Sequence, residues 1–95
     1  MTRNKPDANK ADLVRLWRDA GGLWYDMPRE AGFDGVAIFR GRILLVEVKD
    51  GRLPPSAQAL TANEQEQCTR MELRGVPYTI WHKVEDVLAA LEATP

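Results

Sequence analysis

The sequence predicts a mixed α/β domain in which a small sheet is flanked by helices. Three features predict it. Two apolar runs, "DGVAIFR" and "ILLVEVK", lie on either side of Gly41-Arg42, a hairpin turn signal. Both ends of the chain carry apolar residues at helical spacing. Between the hairpin and the C-terminus, a Pro54-Pro55 segment runs into "TANE", where Thr61 and Glu64 have the spacing of a capping box.

In chain order, Leu13, Leu16, Trp17 and Ala20 place a helix over Asp7 to Ala20, with Asp7 as N-cap and Gly21-Gly22 as its stop. "LWYDM" (Leu23 to Met27) is a short strand and "PREAG" a loop. The hairpin follows. "DGRLPPSAQA" is expected to be loop throughout, because paired prolines interrupt ladders and helices alike. The Thr61 helix runs to about Arg74 and stops at Gly75. "VPYTIW" is a strand, and Pro77 near its start suits an edge or entry position. Val84, Val87, Leu88 and Leu91 form the stripe of a last helix. The order is α-β-β-β-α-β-α.

A chain of 95 residues buries one core, so residues 1–95 are read as a single domain. Cys68 is the lone cysteine; it excludes an internal disulfide and a Cys-rich metal site and suits a reducing compartment. No run approaches the ~20 apolar residues that cross a bilayer, and no apolar segment follows the basic start. A cytoplasmic protein with no membrane contact is expected. The net charge of -1 argues against binding nucleic acid by bulk charge alone. That average conceals a gradient. Arg3, Lys5, Lys10, Arg15, Arg18, Arg29, Arg40, Arg42, Lys49 and Arg52 all precede Pro54, and the segment after it is acidic. Either a basic face or an ordinary solvated surface is compatible with this.

The hairpin carries the chemistry. Side chains alternate along a strand, so Leu45, Glu47 and Lys49 share one face while Leu44, Val46 and Val48 point into the core. A two-residue turn at Arg40-Gly41 sets Asp34 opposite Glu47; a turn at Gly41-Arg42 sets it opposite Lys49. Either register gathers the three charges within roughly 5–8 Å at the open end of the hairpin. Two carboxylates this close need a positive partner. Lys49 alone supplies one in the plain alternative, an ion pair on an exposed face worth about 0–1 kcal/mol. A hard divalent cation supplies more, since Mg²⁺ takes one or two carboxylates plus water and phosphate oxygens.

These residues resemble a known signature. "FDG", then "VEVKDG", is similar to the PD-(D/E)xK nuclease pattern, an Asp opening one strand and Glu-x-Lys on the next. "VEVKDGRLPPSAQALTANEQE", followed by a Gly-bounded strand and a final helix, resembles the small stand-alone VRR-NUC-like nucleases of phage and bacterial genomes. The resemblance covers about Asp7 to Leu91. It implies a restriction-endonuclease-like α-β-β-β-α-β core with a C-terminal helix. It implies a metal-dependent endonuclease that hydrolyses DNA phosphodiester bonds, with selectivity for branched or flapped structures among the options. Asp34 and Glu47 would be metal-binding carboxylates, the Val48 carbonyl a third ligand, and Lys49 the group that orients the attacking water or stabilises phosphate charge. Mg²⁺ is the implied ion, with Mn²⁺ as substitute. Glu64 and Gln65 match the family's polar pair on the second helix. Phe33 stands where relatives carry Pro, and the first-helix acidic residue of many relatives has no match: Asn9 faces the sheet from that helix without a charge.

The remaining expectations concern the surroundings. Arg52, Gln58 and Thr61 border the site and are candidate DNA contacts, with the Thr61 helix start offering free N–H groups to phosphate. A monomer of this size covers little of a duplex, which makes a homodimer an expectation. His82 is read as a surface or capping residue, Cys68 as core, and Trp17 as core before base-stacking. A catalytically degenerate nuclease fold acting as a DNA-binding or protein-interaction module is the alternative function.

Overall fold

The computed structural model describes residues 8–93. Helix α1 spans Ala8–Asp19, and the expected N-cap Asp7 lies outside the described residues. Strands β1 (Leu23–Asp26), β2 (Gly35–Phe39), β3 (Arg42–Val48) and β4 (Tyr78–Trp81) form one sheet in the order β1-β2-β3-β4. The first two pairings are antiparallel and β3–β4 is parallel. Between β3 and β4 come α2 (Pro55–Gln58) and α3 (Ala62–Glu72), and α4 (Val84–Glu92) closes the chain. Pro77 therefore precedes an edge strand, where a missing N–H removes no ladder bond.

The hairpin turn is Arg40-Gly41. Both residues have positive φ, 50° and 80°, as a type I′ turn requires, and its twist matches that of the flanking strands. Phe39 then pairs with Arg42 and Gly35 with Val46, which sets Asp34 opposite Glu47. Of the two registers open in the sequence, this is the one adopted.

Helices α1 and α4 cover one face of the sheet. Leu13, Val14 and Trp17 of α1 and Val87 of α4 close over Trp24, Ala37, Leu44, Val46 and Trp81. Trp81 lies 5.2 Å from Trp17 and 5.8 Å from Trp24, centroid to centroid. Burying an indole of 150–250 Å² contributes roughly 4–6 kcal/mol by area, so this trio dominates the face. All three tryptophans are thus core, and none is free to stack a base.

Helix α3 covers the opposite face only near the open end of the hairpin. There Phe33, Cys68 and Tyr78 are buried, with Val36, Leu45 and Ile80 packed against them. Toward the turn, Leu23, Tyr25, Ile43 and Val76 stay exposed on this face.

Four expectations are corrected. "PREAG" contains a 3-10 turn, Arg29–Ala31. The proline segment is not all loop: Pro54 caps α2 and Pro55 is its first residue, where no helical partner for an N–H is needed. Helix α3 ends at Glu72; Arg74 and Gly75 continue as a tight turn onto the carbonyls of Met71 and Glu72, with Gly75 at φ 75°. The α4 stripe is narrower than predicted. Val87 is fully buried with Ala90 and Leu91 beside it, while Val84 and Leu88 are exposed. Leu88 is one residue, about 100°, round the helix from the buried centre.

Candidate functional site

Strand β3 carries the site on its last residues, at the end of the sheet where α3 begins. Asp34 is held on three sides. Its N–H donates to the Val46 carbonyl at 2.9 Å, its carbonyl accepts from Met27 N–H at 2.9 Å, and its Oδ2 accepts from Val48 N–H at 2.7 Å. The carboxylate is thereby fixed at the β3 end, across from Glu47. Backbone N–H and C=O of one strand residue face the same side. The Val48 carbonyl therefore points to the Asp34 side, while Lys49 N–H pairs with Trp81 of β4 at 2.9 Å.

Glu47 is buried, 5% exposed, under α3. The face that carries it is not the exposed one of the plain ion-pair alternative, because α3 and Phe33 cover it. Lys49 Nζ lies 3.5 Å from Glu47 Oε2 and 2.8 Å from Glu64 Oε1. Glu64 Oε1 also accepts the Thr61 N–H at 2.9 Å, while Thr61 Oγ1 accepts Glu64 N–H at 3.2 Å. The capping box is formed as the sequence predicts, and it reaches the lysine as well. A cleft of about 180 Å³ opens here, lined by Met27, Arg29, Gly32, Phe33, Asp34, Glu47 and Glu64.

Three carboxylates against one lysine leave the cluster short of positive charge. Burial, then the Asp34 and Glu64 carboxylates, push Glu47 up to about 8, and Lys49 only partly opposes this. For Lys49, burial favours the neutral amine, but the Glu64 hydrogen bond and the charges of Glu47 and Glu64 outweigh it and raise its pKa. Burial would likewise raise Glu64; its bonds to Lys49 and Thr61 prevail and lower it. A buried carboxylate shifted by burial and by specific charged neighbours is a candidate functional group.

The other expected residues are placed as follows. Asn9 Nδ2 donates to the Lys49 carbonyl at 3.0 Å and the His82 carbonyl at 3.4 Å, tying the ends of β3 and β4 to α1. Gln65 is exposed and bonds Thr69 along its own helix at 3.3 Å, away from the cluster. Arg52 is exposed and grips Asp50 through two guanidinium contacts, 2.9 and 2.7 Å, which hold the Asp50 carboxyl down at about 2. Gln58, the last residue of α2, donates to the Leu53 carbonyl in the loop before it. His82 Nδ1 is 3.5 Å from Asp86, whose carboxylate accepts the His82 and Lys83 N–H groups at the start of α4. Cys68 is buried, and burial raises its thiol pKa, so it is no nucleophile. Arg29 and Gly32 in the cleft were missed. Their only sequence signal is membership of a short segment directly before Asp34, and lining follows from the 3-10 turn that folds it back.

The basic gradient resolves in part. Lys10, Arg15 and Arg18 line a groove of about 470 Å³ between α1 and β1, with Asp19 and Asp26 among them. Lys10 is paired to Asp26 at 3.1 Å.

Among the described residues, no three His, Cys, Asp or Glu side chains converge as a ready-made metal cage. Two carboxylates and a carbonyl nonetheless fit a Mg²⁺-type ion, which keeps most of its shell as water and phosphate oxygen. The unbalanced charge around Glu47 points the same way.

No family model and no curated protein matches the sequence. Among solved structures, a "VRR_NUC domain" superposes with a TM-score of 0.70 at 23% identity, covering 95% of this chain and 97% of that one. The mixed sheet with helices on both faces agrees with the α-β-β-β-α-β order expected from the sequence. More narrowly, the chain shares the fold of that VRR_NUC domain over almost its whole length.

Proposed function

We propose that residues 1–95 act as a single metal-dependent endonuclease domain that hydrolyses DNA phosphodiester bonds, with branched or flapped structures among the candidate substrates. The observation that carries this is the joining of Asp34, Glu47 and Lys49 at one end of the hairpin, in this fold, around a buried carboxylate that lacks a full complement of positive charge.

Phosphodiester hydrolysis is so slow unaided that on the order of 20 kcal/mol must come off the barrier. Asp34, Glu47 and the Val48 carbonyl would hold Mg²⁺, or Mn²⁺ in its place. Such an ion polarises a phosphoryl oxygen and lowers the pKa of water. Asp34 is aimed by the Val48 N–H, which donates to its Oδ2. Lys49 presents its ammonium beside the cleft and stabilises charge building on the phosphate. Asn9 fixes the strand ends that carry these groups rather than contacting the ion. Glu64 sits at the cluster as an accessory residue, whereas Gln65 keeps only a peripheral place in this proposal.

Incubation with branched, flapped, nicked and single-stranded DNA, with and without Mg²⁺ or Mn²⁺, tests the reading. Cleavage confined to the metal-containing arms is expected; no cleavage of any substrate in any arm overturns it. In that event the Lys49 pairing with Glu47 and Glu64 is structural, and the chain is a DNA-binding or protein-interaction module.

DNA is the proposed partner, and a cytoplasmic setting is proposed with it. No helix among the described residues is long and apolar enough to cross a membrane. Arg52 in the loop that leaves Lys49, Gln58 at the end of α2 and Thr61 at the α3 start are the proposed DNA contacts. Arg52→Ala is expected to weaken DNA binding and flatten its log–log salt dependence by about one unit. An unchanged slope assigns Arg52 to Asp50 alone. A homodimer is proposed as well, through the sheet face on which Leu23, Tyr25 and Ile43 are exposed.

A further inference from the structure

We infer that Glu64 is the positioning residue of Lys49: its carboxylate holds the ammonium at the cleft and couples it to the start of α3. The inference rests on the nuclease reading for its kinetic consequence and on geometry for its substance. Lys49 is on a four-carbon stem with free rotation, and such a side chain positions a charge only if something fixes its end. Glu47 lies 3.5 Å from Nζ, a loose contact. Glu64 lies at 2.8 Å, the length of a charge-assisted hydrogen bond.

Glu64 is itself immobilised. Oε1 accepts both Lys49 Nζ and the Thr61 N–H, and the Glu64 N–H is held by Thr61 Oγ1. Its side chain is 17% exposed and that of Lys49 13%, so water competes weakly for either. An ammonium has three donors. Glu64 takes one and Glu47 faces a second, so the ammonium keeps a third donor beside the two carboxylates that line the cleft with Asp34. Glu64 thus acts through Lys49. It does so from a helix-capping position that a sequence pattern explains as stability alone.

Glu64→Gln separates the two roles. A glutamine oxygen still accepts the Thr61 N–H, so the cap survives; the charge that draws in Lys49 does not. The expected result is a ten- to hundredfold fall in kcat, the scale of one charge-assisted hydrogen bond. KM for DNA and the urea midpoint should stay near wild type, and Mn²⁺ affinity should stay within about threefold. Glu64→Ala should show the same kcat loss together with a lowered urea midpoint. A purely structural Glu64 predicts instead that kcat follows the midpoint across both variants. A Mn²⁺ affinity reduced more than about tenfold in Glu64→Gln would make it a metal ligand and overturn the inference, as would wild-type kcat.

A second readout needs no activity. The Lys49 ammonium N–H resonance should be protected from solvent exchange in the wild-type protein and lost to exchange broadening in Glu64→Gln. Its persistence in that variant overturns the clamp. Inactive wild-type protein with the resonance protected would refute the nuclease reading and leave the clamp standing.

Discussion

Lys49→Ala should lose cleavage by about 10²–10³-fold or more while still binding Mn²⁺, and Glu47→Ala should lose both. The difference follows from charge. Lys49 is the only cation within ion-pair distance of Glu47 and Glu64 among the described residues. Removing it leaves Asp34, Glu47 and Glu64 with more unbalanced negative charge, which attracts a divalent ion rather than repelling it. What disappears is the group that meets charge developing on the phosphate, so the defect belongs to turnover and not to ground-state binding. Removing Glu47 takes away a ligand and leaves Asp34 with a carbonyl. Calorimetric titration with Mn²⁺ beside a cleavage assay tells them apart. Lys49→Ala cutting at the wild-type rate would falsify the catalytic assignment and leave the cluster structural.

Much of this geometry was readable in the sequence because it depends on local periodicity. Alternation along "ILLVEVK" separates Leu44 and Val46, both buried under α1 and α4, from Leu45, Glu47 and Lys49 on the α3 side. The capping box at Thr61 and Glu64 is likewise local and formed as expected. Register was not readable. Gly41 fits a two-residue turn at either position, and the choice fell to Arg40, an arginine that adopts φ 50°. Its guanidinium lies 5.2 Å above the Phe39 ring, a contact that helps hold it there.

Two of the misreadings have a tertiary origin and two a local one. Glu47 looked like a residue on an open face because nothing local says that α3 lies across the strand end. Val84 and Leu88 looked buried because a helical stripe reports which side is apolar, not how wide the sheet beneath it is. The resemblance pairs Gln65 with Glu64, yet successive helix residues point about 100° apart. The one reaches Lys49; the other faces solvent. Pro54-Pro55 was read as a helix breaker, which holds for interiors and fails at a first turn.

Metal-free protein should lose stability as pH rises from about 4.5 to about 8, and Mg²⁺ should restore it at the upper end. The cause is Glu47, which burial and two neighbouring carboxylates push from an ordinary 4.5 up to about 8. Between these values the unfolded chain has released this proton and the folded one retains it. The folded state therefore binds more protons, and stability falls with rising pH. Each pH unit with one proton of difference contributes about 1.4 kcal/mol, so the window as a whole is worth on the order of a few kcal/mol. Glu64 shifts the opposite way and Lys49 titrates above the window, so neither produces this slope. A divalent ion binding only the folded protein adds RT ln(1 + [L]/Kd), and it must displace the Glu47 proton at pH 5 but scarcely at pH 8. Stabilisation by Mg²⁺ should accordingly grow with pH. Glu47→Gln keeps the neutral shape, so it should flatten the slope in EDTA, raise stability at pH 8 and abolish the Mg²⁺ effect. Urea unfolding at pH 5 and pH 8, in EDTA and in Mg²⁺, measures all three. If wild type and Glu47→Gln share one pH profile, the carboxylate is already ionised and balanced within the protein, and the argument for a missing cation fails with it.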